Sequence, residues 1–130
     1  MKHLTTPLEL AIANRLYAKA QYFGGCSVNA QFKEPTEGYL VSIKDGLVFD
    51  SISEVNEHAV SNWIVEHLNS GVNENLNYYF GSWKDKETNK IYFDVSLNTP
   101  SMLTALTLAE EFKQIAIYDI ENKTDITTDI

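Results

Sequence analysis

Hydrophobic positions recur along the chain with two periods, and each change of period marks a new element. Leu8, Ile12 and Leu16 repeat at four-residue spacing with Ala11 and Ala20 beside them, while Glu9, Arg15 and Lys19 can face water, which predicts an amphipathic helix to about Tyr22. Thr6-Pro7-Leu8-Glu9 starts it, with Thr6 as cap, Pro7 at the first helical position and Glu9 completing a capping box. Gly24-Gly25 stops it. From Ser27 the period becomes two, with Val28, Ala30 and Phe32 on one side and Ser27, Asn29 and Gln31 on the other, the mark of a half-buried strand. After a turn at Pro35 to Gly38, a second strand carries Tyr39, Val41 and Ile43 against Leu40, Ser42 and Lys44. Asp45-Gly46 is expected to close a two-residue hairpin onto a third strand, Leu47-Val48-Phe49.

Helical spacing then returns. Ser51 or Ser53 is the expected cap, Ser51-Ile52-Ser53-Glu54 permits a second capping box, and Val55, Ala59, Val60, Trp63, Ile64 and Leu68 form an apolar stripe up to Ser70-Gly71. Asn77 to Lys84 and Lys90 to Asn98 read as a hairpin around the turn-rich Asp85-Lys86-Glu87-Thr88-Asn89. Thr99-Pro100 opens a third helix bearing Leu103, Ala105, Leu106, Ala109 and Phe112, and a strand from Ile115 to Asp119 follows. The predicted fold is α+β, a mostly antiparallel sheet of about six strands with three helices on one face, in the order α-β-β-β-α-β-β-α-β. One domain covers 1–119, and 120–130 is expected to fray as an acidic polar tail.

Composition narrows the function classes. The chain has 130 residues and is 44% hydrophobic, enough for one core without staples. Its apolar runs fall far short of the roughly 20 residues that a membrane span needs, so no membrane-spanning role is expected. A single cysteine excludes a disulfide framework and, with no charged-then-apolar leader at Met1 to Pro7, favours a cytoplasmic setting. Ten basic against 18 acidic residues give a formal charge of −8, which repels a phosphate backbone. A DNA-binding regulator would have to rely on Lys84, Lys86 and Lys90, which alternate with Asp85 and Glu87 in one turn.

Catalytic and metal motifs are scarce. His58 and His67 lie nine residues apart on one helix, which turns them about 900° and sets them on opposite sides, and no His-x-x-x-His or Cys-x-x-Cys spacing occurs. No metal and no cofactor are expected. Cys26 would serve as a nucleophile only with a histidine of the central helix beside it, and buried apolar packing is the ordinary alternative. Gly24-Gly25 lacks the downstream Gly-Lys-Ser/Thr of a phosphate loop and ends a helix instead of starting one.

Two features remain as candidate binding surfaces. The strand Ile91 to Asn98 alternates without a break, so that Tyr92, Asp94, Ser96 and Asn98 form a polar ladder with rungs about 6.7 Å apart, which Asn29, Gln31, Ser42 and Lys44 can extend. That ladder is either a wet outer face or a place to orient a small ligand, with Asp94 as a base and Asp119 as a second carboxylate only if its strand adjoins. The second feature is charge. Asp45, Asp50, Glu54, Glu57, Glu66 and Glu74 lie in a stretch up to Trp83 that has no lysine or arginine. Dipole complementarity explains Glu54 and Glu57 at a helix start but not Glu66 or Glu74, and a one-signed field steers toward a basic protein surface. The candidate binding residues are thus Glu54, Glu57, Glu66, Tyr92, Asp94 and Ser96.

Asn77-Tyr78-Tyr79-Phe80-Gly81-Ser82-Trp83, Ile91-Tyr92-Phe93-Asp94-Val95-Ser96, Ala105-Leu106-Thr107-Leu108-Ala109 and Gln114-Ile115-Ala116-Ile117-Tyr118-Asp119, in this order, resemble an uncharacterised family of small proteins encoded by bacteriophages and other mobile elements. The resemblance implies a context and brings no catalytic residues. That context, with the size and the charge, implies a non-enzymatic inhibitor of a host defence nuclease, of anti-CRISPR or anti-restriction type. Its partner would be a basic, nucleic-acid-handling protein in the bacterial cytoplasm. The alternative is a small-ligand-binding or hydrolytic enzyme on the Tyr92, Asp94 and Ser96 face.

Overall fold

A six-stranded antiparallel sheet forms the centre of the computed structural model, which describes residues 7–69 and 77–128, apart from the side chains of Pro7, Lys44, Asp45 and Asn69. In chain order come helix α1 (Pro7–Phe23), strands β1 (Gly25–Val28) and β2 (Tyr39–Phe49), a 3-10 turn (Ile52–Glu54) and helix α2 (Glu57–Asn69). The hairpin β3 (Tyr78–Lys84) and β4 (Ile91–Thr99), helix α3 (Met102–Glu111) and strands β5 (Ala116–Asp119) and β6 (Thr124–Thr127) follow. The strands are ordered β1-β3-β4-β2-β5-β6 and every neighbouring pair is antiparallel. This is the α+β class expected, with three helices and the predicted number of strands among the described residues.

All three helices cover one face, called inner here. Val28, Phe80, Ile91, Phe93 and Val95 on that face pack with Ile12 and Leu16 of α1 and with Val60, Trp63 and Ile64 of α2. Farther along the same face, Ala105 and Ala109 bring α3 against Val41 and Ile117, their small side chains allowing close approach. The Ser82 hydroxyl, buried on the inner face of β3, donates to the Leu16 carbonyl at 2.8 Å and fixes α1 to the sheet.

Four local expectations are corrected. Asp45-Gly46 closes no hairpin, because β2 runs unbroken through it and both its ends pair with β4, Tyr39 opposite Thr99 and Phe49 opposite Ile91. Eleven residues of β2 face nine of β4, and the two extra are absorbed where the register shifts, between Ser42 and Lys44 and between Asp45 and Val48. Glycine is required at 46 because a β-carbon there would strike the Phe93 carbonyl and lie 2.8 Å from the Trp63 ring. The first strand ends at Val28 instead of reaching Phe32: the Asn29 carboxamide accepts from the Gln31 and Lys33 amides, folding a turn in which Phe32 has φ 63°.

The central helix starts later than expected. Ser51 makes no side-chain cap, Glu54 sits in the 3-10 turn, and the Asn56 carboxamide accepts from the Ala59 amide at the start of α2. The acidic segment after Asp119 does not fray throughout, since Thr124 to Thr127 pair with β5 as β6. The expected cap at Thr6 and stop at Ser70-Gly71 lie outside the described residues.

Candidate functional site on the outer sheet face

The opposite, outer face carries no described helix, and strand register arranges its residues in rows. The first row runs Gly25, Trp83, Tyr92, Val48 across β1, β3, β4 and β2. The next brings Ser27, Gly81, Asp94 and, by strand register, Asp45 together, and the third joins Tyr79, Ser96 and Ser42. Tyr92, Asp94 and Ser96 therefore do share one face, as their alternation predicts.

The three differ in what they offer. Tyr92 stacks on Trp83 with ring centroids 4.4 Å apart and planes 11° from parallel. Trp83 is 45% exposed and Val48, on the other side of Tyr92, 54%, so this row is an aromatic and apolar platform open to solvent. Asp94 lies across the bare Gly81 backbone: a β-carbon built at Gly81 would sit 2.6 Å from Asp94 Oδ1 and 3.5 Å from Ser27 Oγ. Ser96, in contrast, is only 7% exposed, and the neighbouring Tyr79 and Leu40 are buried too, so this end of the ladder is closed and not a wet row of hydroxyls. Burial pushes the Tyr79 phenol above its ordinary range, against the opposing pull of its hydrogen bond with Asn29. Asn98 is a structural group, donating to the carbonyls of Glu37 and Tyr39 at 3.0 and 3.2 Å.

The acidic candidates lie elsewhere. Glu54, Glu57 and Glu66 are all exposed, but they belong to the 3-10 turn and α2, in the helical layer on the other side of the sheet. Nine residues separate Glu57 from Glu66, so they leave α2 about 180° apart and form no common face. Glu74 lies outside the described residues. The two candidate surfaces are thus on opposite sides of the protein.

Among the described residues, the candidate nucleophile and histidines are not assembled on either surface. Cys26 points into the inner layer toward the Arg15 carbonyl, and burial first, then Glu34, pushes its thiol up to about 11, so it is no activated nucleophile. His58 is exposed, whereas His67 is buried with its ring 5.3 Å from Trp63 and 6.4 Å from Phe80. These two histidines belong to α2, across the sheet from Ser96 and Asp94, and neither is placed to activate a hydroxyl there; the third, His3, lies outside the described residues. Among the described residues no group of three or more His, Cys, Asp or Glu side chains is set to hold a metal ion, and no helix is long and apolar enough to cross a membrane. Asp119 is buried and held by the Asn122 amide and carboxamide, and it borders a groove of about 230 Å³ with Glu37 and Glu121, away from Asp94.

Trp83, Val48, Gly81 and Ser27 complete this surface and are not among the binding residues expected from the sequence. Their signal lies in the hairpin register: with Lys84 opposite Ile91, the alternation Tyr79, Gly81, Trp83 falls on the same side as Ser96, Asp94, Tyr92. Neither a protein-family model, nor a curated protein, nor a solved structure matches the chain.

Proposed function

We propose that this protein is a non-catalytic interaction module that binds a protein partner through the outer face of its sheet, with Trp83 and Tyr92 as anchors. One observation carries the reading: an exposed Trp83 stacks on the half-buried Tyr92 beside an exposed valine, on a face that the described helices leave bare. Exposed tryptophan and tyrosine are the side chains that most often dominate protein interfaces, because they bury a large area at small conformational cost. The formal charge of −8 favours a basic partner and speeds its encounter. Within this class we favour an inhibitor of a nucleic-acid-handling defence enzyme in the bacterial cytoplasm, of anti-CRISPR or anti-restriction type. Its supports are that charge and the resemblance to proteins of phages and mobile elements.

Capture from a bacterial lysate, quantified for the wild-type protein, Trp83→Ala and the triple variant Glu54→Lys, Glu57→Lys, Glu66→Lys, tests the reading. The expected result is a protein retained by the wild type and by the triple variant at high salt but lost by Trp83→Ala. Equal capture by Trp83→Ala and wild type refutes it.

A further inference from the structure

We infer that the notch beside the aromatic pair receives an arginine side chain of the partner. The inference rests on the protein-partner reading above and gives it a chemical identity. Tyr92 covers one face of the Trp83 indole, whereas the residue opposite Trp83 on its other side is Gly25, which has no side chain to cover the second face. One row along, Gly81 leaves the backbone bare, and the Asp94 carboxylate and the Ser27 hydroxyl converge above it. Two residues along a strand span about 6.7 Å, so a flat cation lying on the indole reaches the carboxylate in the neighbouring row.

The combination selects a guanidinium. A planar cation stacks on an indole face and gains from the ring quadrupole, while its fork of N–H donors suits a carboxylate, and a lysine ammonium has neither the plane nor the fork. Asp94 already interacts within the protein, but an ionised carboxylate has about four acceptor positions and can take a further donor. The nearest basic residue in sequence, Lys84, falls on the opposite side of β3 by strand alternation and so does not fill the notch. The formal charge of −8 adds long-range attraction for an arginine-bearing surface.

The test uses the full chain and three blocked decapeptides, alternating glycine with arginine, lysine or citrulline. Binding is followed by the shifts of backbone amides and of the Trp83 indole N–H in two-dimensional nitrogen-proton NMR spectra. The arginine peptide should shift the Trp83 indole and the Gly81 amide and bind about tenfold more tightly than the lysine peptide, a difference of about 1.4 kcal/mol. The neutral citrulline peptide should leave both resonances in place. Asp94→Asn should weaken arginine binding about tenfold and Trp83→Ala should abolish it, with melting curves and the unshifted core amides reporting that each variant is folded. Trp83→Phe, which keeps an aromatic face, should retain part of the binding, and this second variant decides the matter if Trp83→Ala fails to fold. Equal binding of arginine and citrulline peptides, or shifts confined to α2 or to the Glu37, Asp119 and Glu121 groove, overturns the inference. If Trp83→Ala loses the captured partner while arginine peptides ignore the notch, the inference falls and the interaction reading stands. If arginine peptides occupy the notch while partner capture is indifferent to Trp83, the partner reading falls instead, and with it the assignment of that arginine to a partner.

Discussion

Replacing Trp63 tests how the inner layer is held, because this one side chain joins α2 to three strands. It is 7% exposed and meets Phe80 at 5.5 Å and Phe93 at 6.3 Å, both edge to face, with the backbone of β2 at Gly46 against its six-membered ring. Trp63→Ala removes those contacts and leaves a cavity that the close-packed sheet can only partly close, a loss of about 3–5 kcal/mol. For a domain whose total stability is on the order of 5–15 kcal/mol, that is a large share. Trp63→Phe separates packing from polarity. The indole Nε1 is buried and has no hydrogen-bond acceptor in the described protein, and such an unsatisfied donor carries a penalty of about 1–3 kcal/mol. Phenylalanine removes that donor and keeps an aromatic edge for Phe80, so relief of the penalty offsets part of the smaller ring's cavity, and the net loss should be about 1–2 kcal/mol. Urea unfolding followed by far-ultraviolet circular dichroism measures both, with an unchanged m-value showing that the native and unfolded states stay comparable. An alanine loss below about 1 kcal/mol would remove Trp63 from the core. A phenylalanine variant as damaged as the alanine one would show that the indole N–H is favourably placed after all, for instance against a ring face.

Two further outcomes follow from the same geometry. Cys26, with its thiol pushed up to about 11 from 9.0, stays protonated at neutral pH, and a thiol reagent should modify the native protein far more slowly than the urea-unfolded chain. Above pH 9 the unfolded chain loses this proton before the folded one does, so stability should fall across pH 9 to 11, and a Cys26→Ser variant that melts with the same pH slope would contradict the assignment. The triple reversal Glu54→Lys, Glu57→Lys, Glu66→Lys should change stability by no more than about 1 kcal/mol, since exposed substitutions are usually mild and only the charge in the first turn of α2 complements the helix dipole. Partner association measured by stopped flow should slow, with a flatter salt dependence and a nearly unchanged dissociation rate, and a large rise in dissociation would place the interface on the helical layer instead.

Long, regular elements were legible from residue order alone, and the departures from regularity were not. The β4 alternation assigns Ile91, Phe93 and Val95 to the core and Tyr92 and Asp94 to the other face, because burial of one side enforces a period of two. The stripe of Val60, Trp63, Ile64 and Leu68 is buried for the corresponding reason in α2. Asp45-Gly46 misled because a hairpin turn and a bulge both call for glycine, and only the approach of Phe93 and Trp63 from distant parts of the chain tells them apart. Polarity hid β6, although Thr124, Ile126 and Thr127 are β-branched and Ile126 packs into the α3 cluster. In the candidate site, Tyr92 and Asp94 were visible on one strand. Trp83, Gly81 and Ser27 were not, since they join them only through pairings between strands.

Those pairings tie the proposed recognition surface to stability. On β3 the inward residues Phe80 and Ser82 hold the core and α1, while Gly81 and Trp83 between them shape the outer platform, and β4 divides its residues in the same way. A slip of one residue between these strands would turn one of them over, placing Trp83 in the core and exposing Phe80, or placing Asp94 in the core and exposing Phe93, and the lost burial makes either exchange prohibitive. The turn helps to hold the register: Asp85 accepts from the Glu87 amide through its side chain and from the Asn89 amide through its carbonyl, and Asn89 takes a left-handed φ of 64°. The Glu87 amide above all, then the hydrogen bonds of Thr88 and the charge of Lys90, hold the Asp85 carboxyl below its usual range. The stack of Trp83 on Tyr92 therefore needs no separate support. It is positioned by the same register that buries Phe80 and Phe93, which leaves the outer side chains open to contact a partner without loosening the fold.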